Sequence, residues 1–294
     1  MKRAPTVRYL IFFQYLGTNY SGVMRVPSEQ PIPGVQNCLE EAVQRLRPTN
    51  EAKLWISSRT DSGVHAMCNS AHLDIQRKEG MLPFSEEVLV GALNFHLKGQ
   101  PISVLGVRRV AENFHARYRA LSRTYVYRLV TGCLRRSQLP VFEQNLCWPL
   151  ATNRALNVGA MEEAAQVLLG THDFSTFRSL NDETHFRSPV KTLLRADVTP
   201  GVSMSAQHDF HRHLEFWEIT FRSRSFLYKQ VRRLTGALVM VGQGRLTPRH
   251  IKELLDMRDS RAFPSDSLAP PDGLFLKEVE YDEKDFEVDE HVVE

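Results

Sequence analysis

The sequence is sparing with cysteine, with long apolar runs and, over several stretches, with acid. Its four cysteines, Cys38, Cys68, Cys133 and Cys147, lie far apart and include no Cys-x-x-Cys pair. That spacing excludes a disulfide scaffold and a cysteine zinc knuckle, and it suits a reducing compartment. No run approaches the roughly 20 apolar residues of a membrane helix and no secretory signal opens the chain, so no membrane partner is expected. A P-loop and a Gly-x-Ser-x-Gly elbow are both missing. Gly242-Gln243-Gly244 lacks the third glycine of a dinucleotide fingerprint and ends a helical pattern instead of opening one. The first 28 residues hold four bases (Lys2, Arg3, Arg8, Arg25) and no acid, as a mitochondrial presequence would. Only about six residues precede the first expected strand, too few for an ordinary removable transit peptide.

What is present is charge, unevenly spread. Thirty-seven Lys and Arg against 34 Asp and Glu leave a formal charge of +3 over 294 residues. Residues 278–294 hold nine acids and one base, a net of −8, so residues 1–277 carry 36 bases and 25 acids, a net of +11. Eight arginines and one acid, Glu112, lie between Arg108 and Arg136, and seven bases with no acid lie between Arg222 and Arg249. Such a body attracts polyanions, although two solvated basic faces would give the same count. With 42% hydrophobic and 24% charged residues, the chain can bury a core as one large domain or as two of about 150 residues.

The hydrophobic rhythm predicts short strands interleaved with helices. Residues 7–15 read as a strand, and Val35, Leu39, Val43 and Leu46 as the buried stripe of a helix stopped at Pro48. Strands are expected at 53–57, 71–75, 102–107 and 124–131, and Ser85 caps a helix with Val88, Leu89, Ala92 and Leu93 inward. Further on, helices are expected at 161–169, closed by Gly170, at 226–241, and from Thr247-Pro248, with strands at 192–198, 214–221 and 274–281. The layout is α+β, two similar α/β halves rather than a strict βαβ series. We divide it into an N-terminal half over 1–112, a C-terminal half over 113–281, and an acidic tail over 282–294.

Three segments carry chemistry. Residues 58–66 read Ser-Arg-Thr-Asp-Ser-Gly-Val-His-Ala. If the preceding strand persists, Arg59 and Asp61 point the same way, and a guanidinium beside a carboxylate keeps it charged and oriented, as a carboxylate nucleophile requires. Asp-Ser-Gly after a strand is equally an ordinary turn. Phe114-His115-Ala116-Arg117 is followed by a strand with Arg123, Tyr125 and Tyr127 on one face. Aromatics interleaved with arginines stack on bases and pair with phosphates, and tyrosines lining a core give the same pattern. The helix with Tyr228, Lys229, Arg232 and Arg233 has a basic flank, which a solvated surface helix also shows. His208, His211 and His213 are spaced like metal ligands, but only Asp209 accompanies them, so no metal is expected.

Residues 59–66 (RTDSGVHA) resemble the active-site motif of the TruA family of tRNA pseudouridine synthases. Other matches follow in that family's order. They are Tyr15-Leu16-Gly17-Thr18-Asn19-Tyr20-Ser21-Gly22, Phe114-His115-Ala116-Arg117, Arg123-x-Tyr125-x-Tyr127 and His172-Asp173-Phe174-Ser175-x-Phe177. Pro189-Val190-Lys191-Thr192, the helix over 226–236 and Ala269-Pro270-Pro271-Asp272-Gly273-Leu274 complete the set. The resemblance spans residues 8–281, and SRTYVYRLVTGC with LPVFEQNLCW is closest to an animal branch of the family. That branch tilts the expected address towards mitochondria, with cytoplasm or nucleus as alternatives.

The resemblance implies a fold whose halves share a mixed, mainly antiparallel sheet, with helices on one side and a basic cleft between the halves. It implies a homodimer acting on RNA, tRNA first, and a cofactor-free isomerisation of uridine to pseudouridine. By position Asp61 is the nucleophile, and attack on uracil, attack on ribose and removal of a sugar proton all stay open. Tyr125 corresponds to the tyrosine that packs on the target base, Arg232 to the arginine that pairs with the aspartate, and Arg59 to the one that holds the base out of its stack. Arg117, Arg123, His65, Lys229 and Arg233 are the other expected substrate contacts. Val23 and Met24 stand where the family has an aromatic residue and Gln, Lys229 where His is common, Arg233 where Asn is usual, and Ser62 where Ala is frequent. The alternative is a non-catalytic RNA-binding or assembly factor on the same scaffold.

Overall fold

The computed structural model describes residues 5–133, 135–151, 155–182 and 184–287. It divides into two compact units, Met1–Arg123 with Leu276–Glu294, and Thr124–Phe275. The division therefore falls after Arg123 rather than after residue 112, and the chain returns to the first unit at Leu276. Among the described residues, ten strands make a ten-stranded, mostly antiparallel sheet, accompanied by five α-helices. The expected α+β class holds.

The first unit is built on β1 (Thr6–Tyr15), in which Tyr9, Leu10, Ile11 and Phe13 are fully buried. A strand covered on both faces reads as a near-continuous apolar run, and this one does. It lies antiparallel between β3 (His65–Gln76) and β4 (Ile102–Arg109). β2 (Leu54–Ile56) pairs antiparallel with β3, and β10 (Leu274–Glu280) extends the order to β4-β1-β3-β10. Helix α1 (Val35–Arg45) buries Leu39 and Val43. Asn37 fastens its start, accepting from the Gly34 and Val26 N–H groups at 3.0 Å each. Ser85 caps α2 (Glu86–His96), its Oγ accepting from the Val88 N–H. Leu89 and Leu93 are buried there, but Val88 is 57% exposed, so the inward face is narrower than the sequence suggested.

Aromatic packing closes the unit near its end. Tyr281 lies edge-on to Phe12 and against Phe114, and Phe286 packs against both Phe12 and Tyr281. Asp285 is 3.6 Å from Arg119. The beginning of the acidic tail is thus ordered on the first unit; residues 288–294 lie outside the described residues.

The second unit holds the order β5-β9-β8-β7, with β5 Ser122–Thr131, β7 Gly170–Asp173, β8 Val190–Pro200 and β9 Glu215–Ser223. The two-residue β6 (Trp148–Pro149) runs parallel to β5. Helix α3 (Val158–Val167) packs on β8 and on α4 (Gln230–Gly242) and α5 (Pro248–Met257). Pro248 sits in the first turn of α5, as Thr247-Pro248 foretold. Gly244, at φ 72°, ends α4 by donating its N–H to the Val241 carbonyl.

Three elements depart from the sequence reading. β3 begins at His65, six residues early, because His65, Asn69 and Ser70 are buried polar residues that hide its alternation. α4 begins at Gln230, since Lys229 adopts the left-handed conformation at φ 56° and interrupts the helix expected from residue 226. β7 was not foreseen, because Gly-Thr-His-Asp carries turn formers and no apolar alternation.

Candidate active site

Asp61 stands in a loop, not on a strand. β2 ends at Ile56 and β3 starts at His65, so the shared strand face assumed for Arg59 and Asp61 does not exist. Asp61 begins a tight turn instead, its carbonyl accepting the Val64 N–H at 3.2 Å. Gly63 has φ 79° in the third position while Ser62 keeps a negative φ, the signature of a type II turn that asks for glycine there. Arg59 is exposed and Asp61 half-buried, between the buried Thr60 and the exposed Ser62.

The segment from Tyr15 to Val23 cradles this turn. The Val23 N–H donates to the Thr60 carbonyl at 3.2 Å, and Ser62 Oγ donates to the Tyr20 carbonyl at 3.1 Å. Tyr15 and Thr60 share a 2.7 Å hydroxyl–hydroxyl bond, and burial pushes the Tyr15 phenol up to about 12, so it stays neutral. The two glycines of the segment are steric requirements. A Cβ on Gly17 would lie 1.9 Å from the Val64 carbonyl oxygen, and one on Gly22 would lie 2.7 Å from that of Thr60. Backbone meets backbone on either side of Asp61, which leaves the carboxylate a fixed perch.

His65 belongs to the same cradle. It is fully buried and its Nδ1 accepts the Gly17 N–H at 3.0 Å. His65, named above as a substrate contact, is placed here as an inward anchor of the cradle. Arg123 likewise turns into its own unit. It is 8% exposed, its Nε donates to Ser58 Oγ, and its Nη2 donates to Ser57 and to the Arg117 carbonyl. Arg117 is half-buried on the loop that contributes that carbonyl. Behind this loop, Ala116 donates its N–H to His72 Nδ1, and its carbonyl accepts from Ser57 Oγ and the Tyr281 hydroxyl. Burial, with His115 and Arg8 nearby, lowers the His72 imidazole to about 4 and keeps it a neutral acceptor.

The second unit carries the remaining expected residues. Tyr125 lies on β5, mostly buried, with Phe226 edge-on at 5.2 Å. Tyr127 is fully buried and donates to the Pro270 carbonyl at 2.7 Å, burial raising its hydroxyl well above its ordinary value. Arg232, half-buried on α4, donates from Nε to the Ala269 carbonyl at 2.7 Å, while the Ala269 N–H returns to the Arg232 carbonyl. Gly236 makes this possible, since a Cβ there would lie 1.7 Å from the Ser267 carbonyl oxygen. The Ala269-Pro270 segment is therefore held between α4 and β5, and it in turn orients Arg232.

Lys229 and Arg233 separate. The Lys229 ammonium lies 5.0 Å from the ring centre of the exposed Tyr228. Arg233 turns inward: it donates to the carbonyls of Thr176 and Ser260 and lies 4.7 Å over the Phe263 ring, and burial lowers its pKa from the ordinary guanidinium value. Its Nη1 thus ties α4 to the segments holding Thr176 and Ser260 within the second unit. His208 is the extended residue between two 3-10 turns, the second of which contains His211, and among the described residues no three His, Cys, Asp or Glu side chains group to hold a metal.

The structure thus gathers Asp61, Arg59, His65, Arg117 and Arg123 in one unit and Tyr125, Lys229, Arg232 and Arg233 in the other. Sequence reasoning missed the supports of Asp61, namely Tyr15, Gly17, Gly22, Ser57, Ser58, Thr60 and Asn69. The signal available was the pair of glycines five residues apart, ahead of the Asp-Ser-Gly turn.

Comparison with known proteins converges on one family. Residues 11–119 and 164–282 match the family model described as tRNA pseudouridine synthase. The protein named tRNA pseudouridine synthase-like 1 of Xenopus laevis is 60% identical over 275 residues, covering 94% of this chain and 91% of its own length. The human protein of the same name is 52% identical over 93% of this chain and 90% of its own. The tRNA pseudouridine synthase A of Rhodospirillum rubrum is 40% identical over 94% of this chain and 88% of its own.

Proposed function

This chain belongs to the tRNA pseudouridine synthase family, and on that premise we propose that it isomerises uridine to pseudouridine in tRNA with Asp61 as nucleophile and no cofactor. The N1–C1′ bond breaks and a C5–C1′ bond forms. The C5 proton leaves and N1 gains one, so atoms and electrons balance without an external reagent. The reacting atoms are enclosed in a stacked helix, so the target base must be extruded first. Arg59, exposed two residues before Asp61, is suited to hold the displaced base or its phosphate, and Tyr125 supplies an aromatic face. Arg232, oriented by Ala269, serves as the cationic partner of the carboxylate.

The observation that carries this reading is the turn at Asp61. Thr60 on one side is fixed by a backbone hydrogen bond from Val23 and Ser62 on the other by its hydroxyl to Tyr20, while Asp61 as a residue keeps partial exposure. A nucleophile needs that combination of rigidity and access. Asp61→Ala is expected to keep its melting temperature and tRNA affinity and to yield no pseudouridine in a carbodiimide-mapping assay; product from the variant would reject the assignment. The enzyme is proposed to act as a homodimer, which light scattering coupled to size exclusion will read as twice 33.7 kDa.

A further inference from the structure

We infer that Arg123 is a positioning residue, acting on the reaction through the Asp61 loop and not through contact with RNA. The inference rests on Asp61 being the nucleophile. It starts from where the guanidinium is spent. Nε reaches Ser58 Oγ at 3.2 Å, and Nη2 reaches Ser57 Oγ at 3.2 Å, the Ser57 carbonyl at 3.4 Å and the Arg117 carbonyl at 2.8 Å. Ser57 and Ser58 are the first two residues after β2, the root from which the loop to Asp61 springs. One planar group thereby ties that root to the loop holding Arg117.

Both tied segments are pinned from behind. The Ser58 carbonyl accepts from Asn69 Nδ2 at 2.9 Å, and Asn69 is fully buried on β3. Ser57 Oγ donates to the Ala116 carbonyl at 2.8 Å, which also accepts from the Tyr281 hydroxyl at 2.6 Å. Arg123 thus places a charge at the centre of a buried network that includes Ser57, Ser58, Asn69 and Tyr281. Its far side is anchored by the Tyr15–Val23 cradle, so the loop is held at its root and at its tip. Losing the root leaves Asp61 on a lever. A misplacement of about 1 Å at a reacting group can cost roughly 100-fold in rate.

Lysine cannot take over. It would present one compact ammonium where the network needs a fork spanning Ser58 on one side and Ser57 with Arg117 on the other. Arg123→Lys should therefore lower the single-turnover rate of pseudouridine formation about 50- to 100-fold. Its tRNA dissociation constant should stay within about threefold, and the slope of log affinity against log salt should not change. A phosphate contact would instead cost about 0.7–0.9 of slope for each charge removed.

Ser58→Ala provides a second, milder probe that keeps the charge buried and the fold intact. It should lower the single-turnover rate about fivefold with unchanged tRNA affinity, and it should add little in the Arg123→Lys background, because the two substitutions break one linkage. The inference is overturned if both variants turn over at the wild-type rate. It is equally overturned if Arg123→Lys loses affinity and salt slope together, or if the two rate effects multiply. Should Arg123→Lys fail to fold, Ser58→Ala alone decides. Asp61→Ala run alongside separates the two claims: an active Asp61→Ala rejects the nucleophile, whereas an inactive one beside a fully active Arg123→Lys rejects only the positioning role.

Discussion

Replacing Gly22 with alanine tests whether the cradle around Asp61 sets the chemistry. The new methyl would lie 2.7 Å from the Thr60 carbonyl oxygen and 3.3 Å from the Asp61 carbonyl carbon. Ordinary contact begins near 3.4 Å, so the Thr60 carbonyl must retreat by about 0.7 Å. That carbonyl accepts the Val23 N–H at 3.2 Å, a bond worth about 1 kcal/mol that the retreat would stretch or break. Gly22 also has φ 109°, a conformation costing an L residue about 1–3 kcal/mol. The sum, about 2–4 kcal/mol, leaves a domain of ordinary stability folded. Displacing the residue next to Asp61 by that distance should slow the reaction on the order of 30-fold. The assay is single-turnover release of tritium from tRNA carrying 5-tritiated uridine, alongside tRNA binding and a thermal melt. Gly80→Ala is the control, since Gly80 has φ 80° with nothing within 4 Å of its Cβ position. It should shift the melt by the strain alone and leave the rate untouched. A Gly22→Ala enzyme within threefold of the wild-type rate, despite a lowered melting temperature, would refute the claim that the cradle places the carboxylate.

Two further outcomes are expected. His72 is held neutral at about 4 against 6.5 for a free imidazole, so the unfolded chain binds a proton that the folded one refuses. Stability is therefore fully present above pH 6.5 and falls as pH drops towards 4, by about 2 kcal/mol at pH 4.5 after allowing for partial solvent access; urea melts of wild type and His72→Gln across that range should diverge, and parallel curves would contradict it. Truncation after Glu287 removes Asp289, Glu290 and Glu294 but keeps Phe286 and Asp285, which hold the tail's beginning on the first unit. Its affinity for unrelated RNA should rise at low salt and not at high salt, with an unchanged melt, whereas equal affinities at low salt would deny the tail an electrostatic role.

Periodicity made most of the fold legible. β1, α1, α2, α5 and β10 announced themselves by apolar spacing or by capping residues such as Ser85 and Thr247-Pro248. What periodicity could not show was a strand that buries polar side chains. His65, Asn69 and Ser70 look like surface residues until their partners are known, and so β3 lost its first half. The same blindness affected the basic residues. The sequence reveals that Arg123, Lys229, Arg232 and Arg233 are charged, but not that Arg123 and Arg233 give donors to carbonyls or hydroxyls of their own unit. A count of cations is an upper bound on those facing a polyanion. The Asp61 motif was legible as chemistry, and its setting was not: the strand imagined beneath it is a type II turn, and its rigidity comes from glycines a long way upstream in the chain.

The return of the chain to the first unit has a consequence for synthesis. Residues 124–275 form a contiguous body, whereas the first unit waits for Leu276–Glu280 and Tyr281. A ribosome therefore delivers every residue of the Asp61 loop early and the tyrosine that bonds to the Ala116 carbonyl only after the whole second unit. A nascent chain can complete its second unit before it can complete its first. A stop codon shortly before residue 281 would not merely trim a tail; it would release a protein with a finished Arg232 helix and an Asp61 loop missing part of its support.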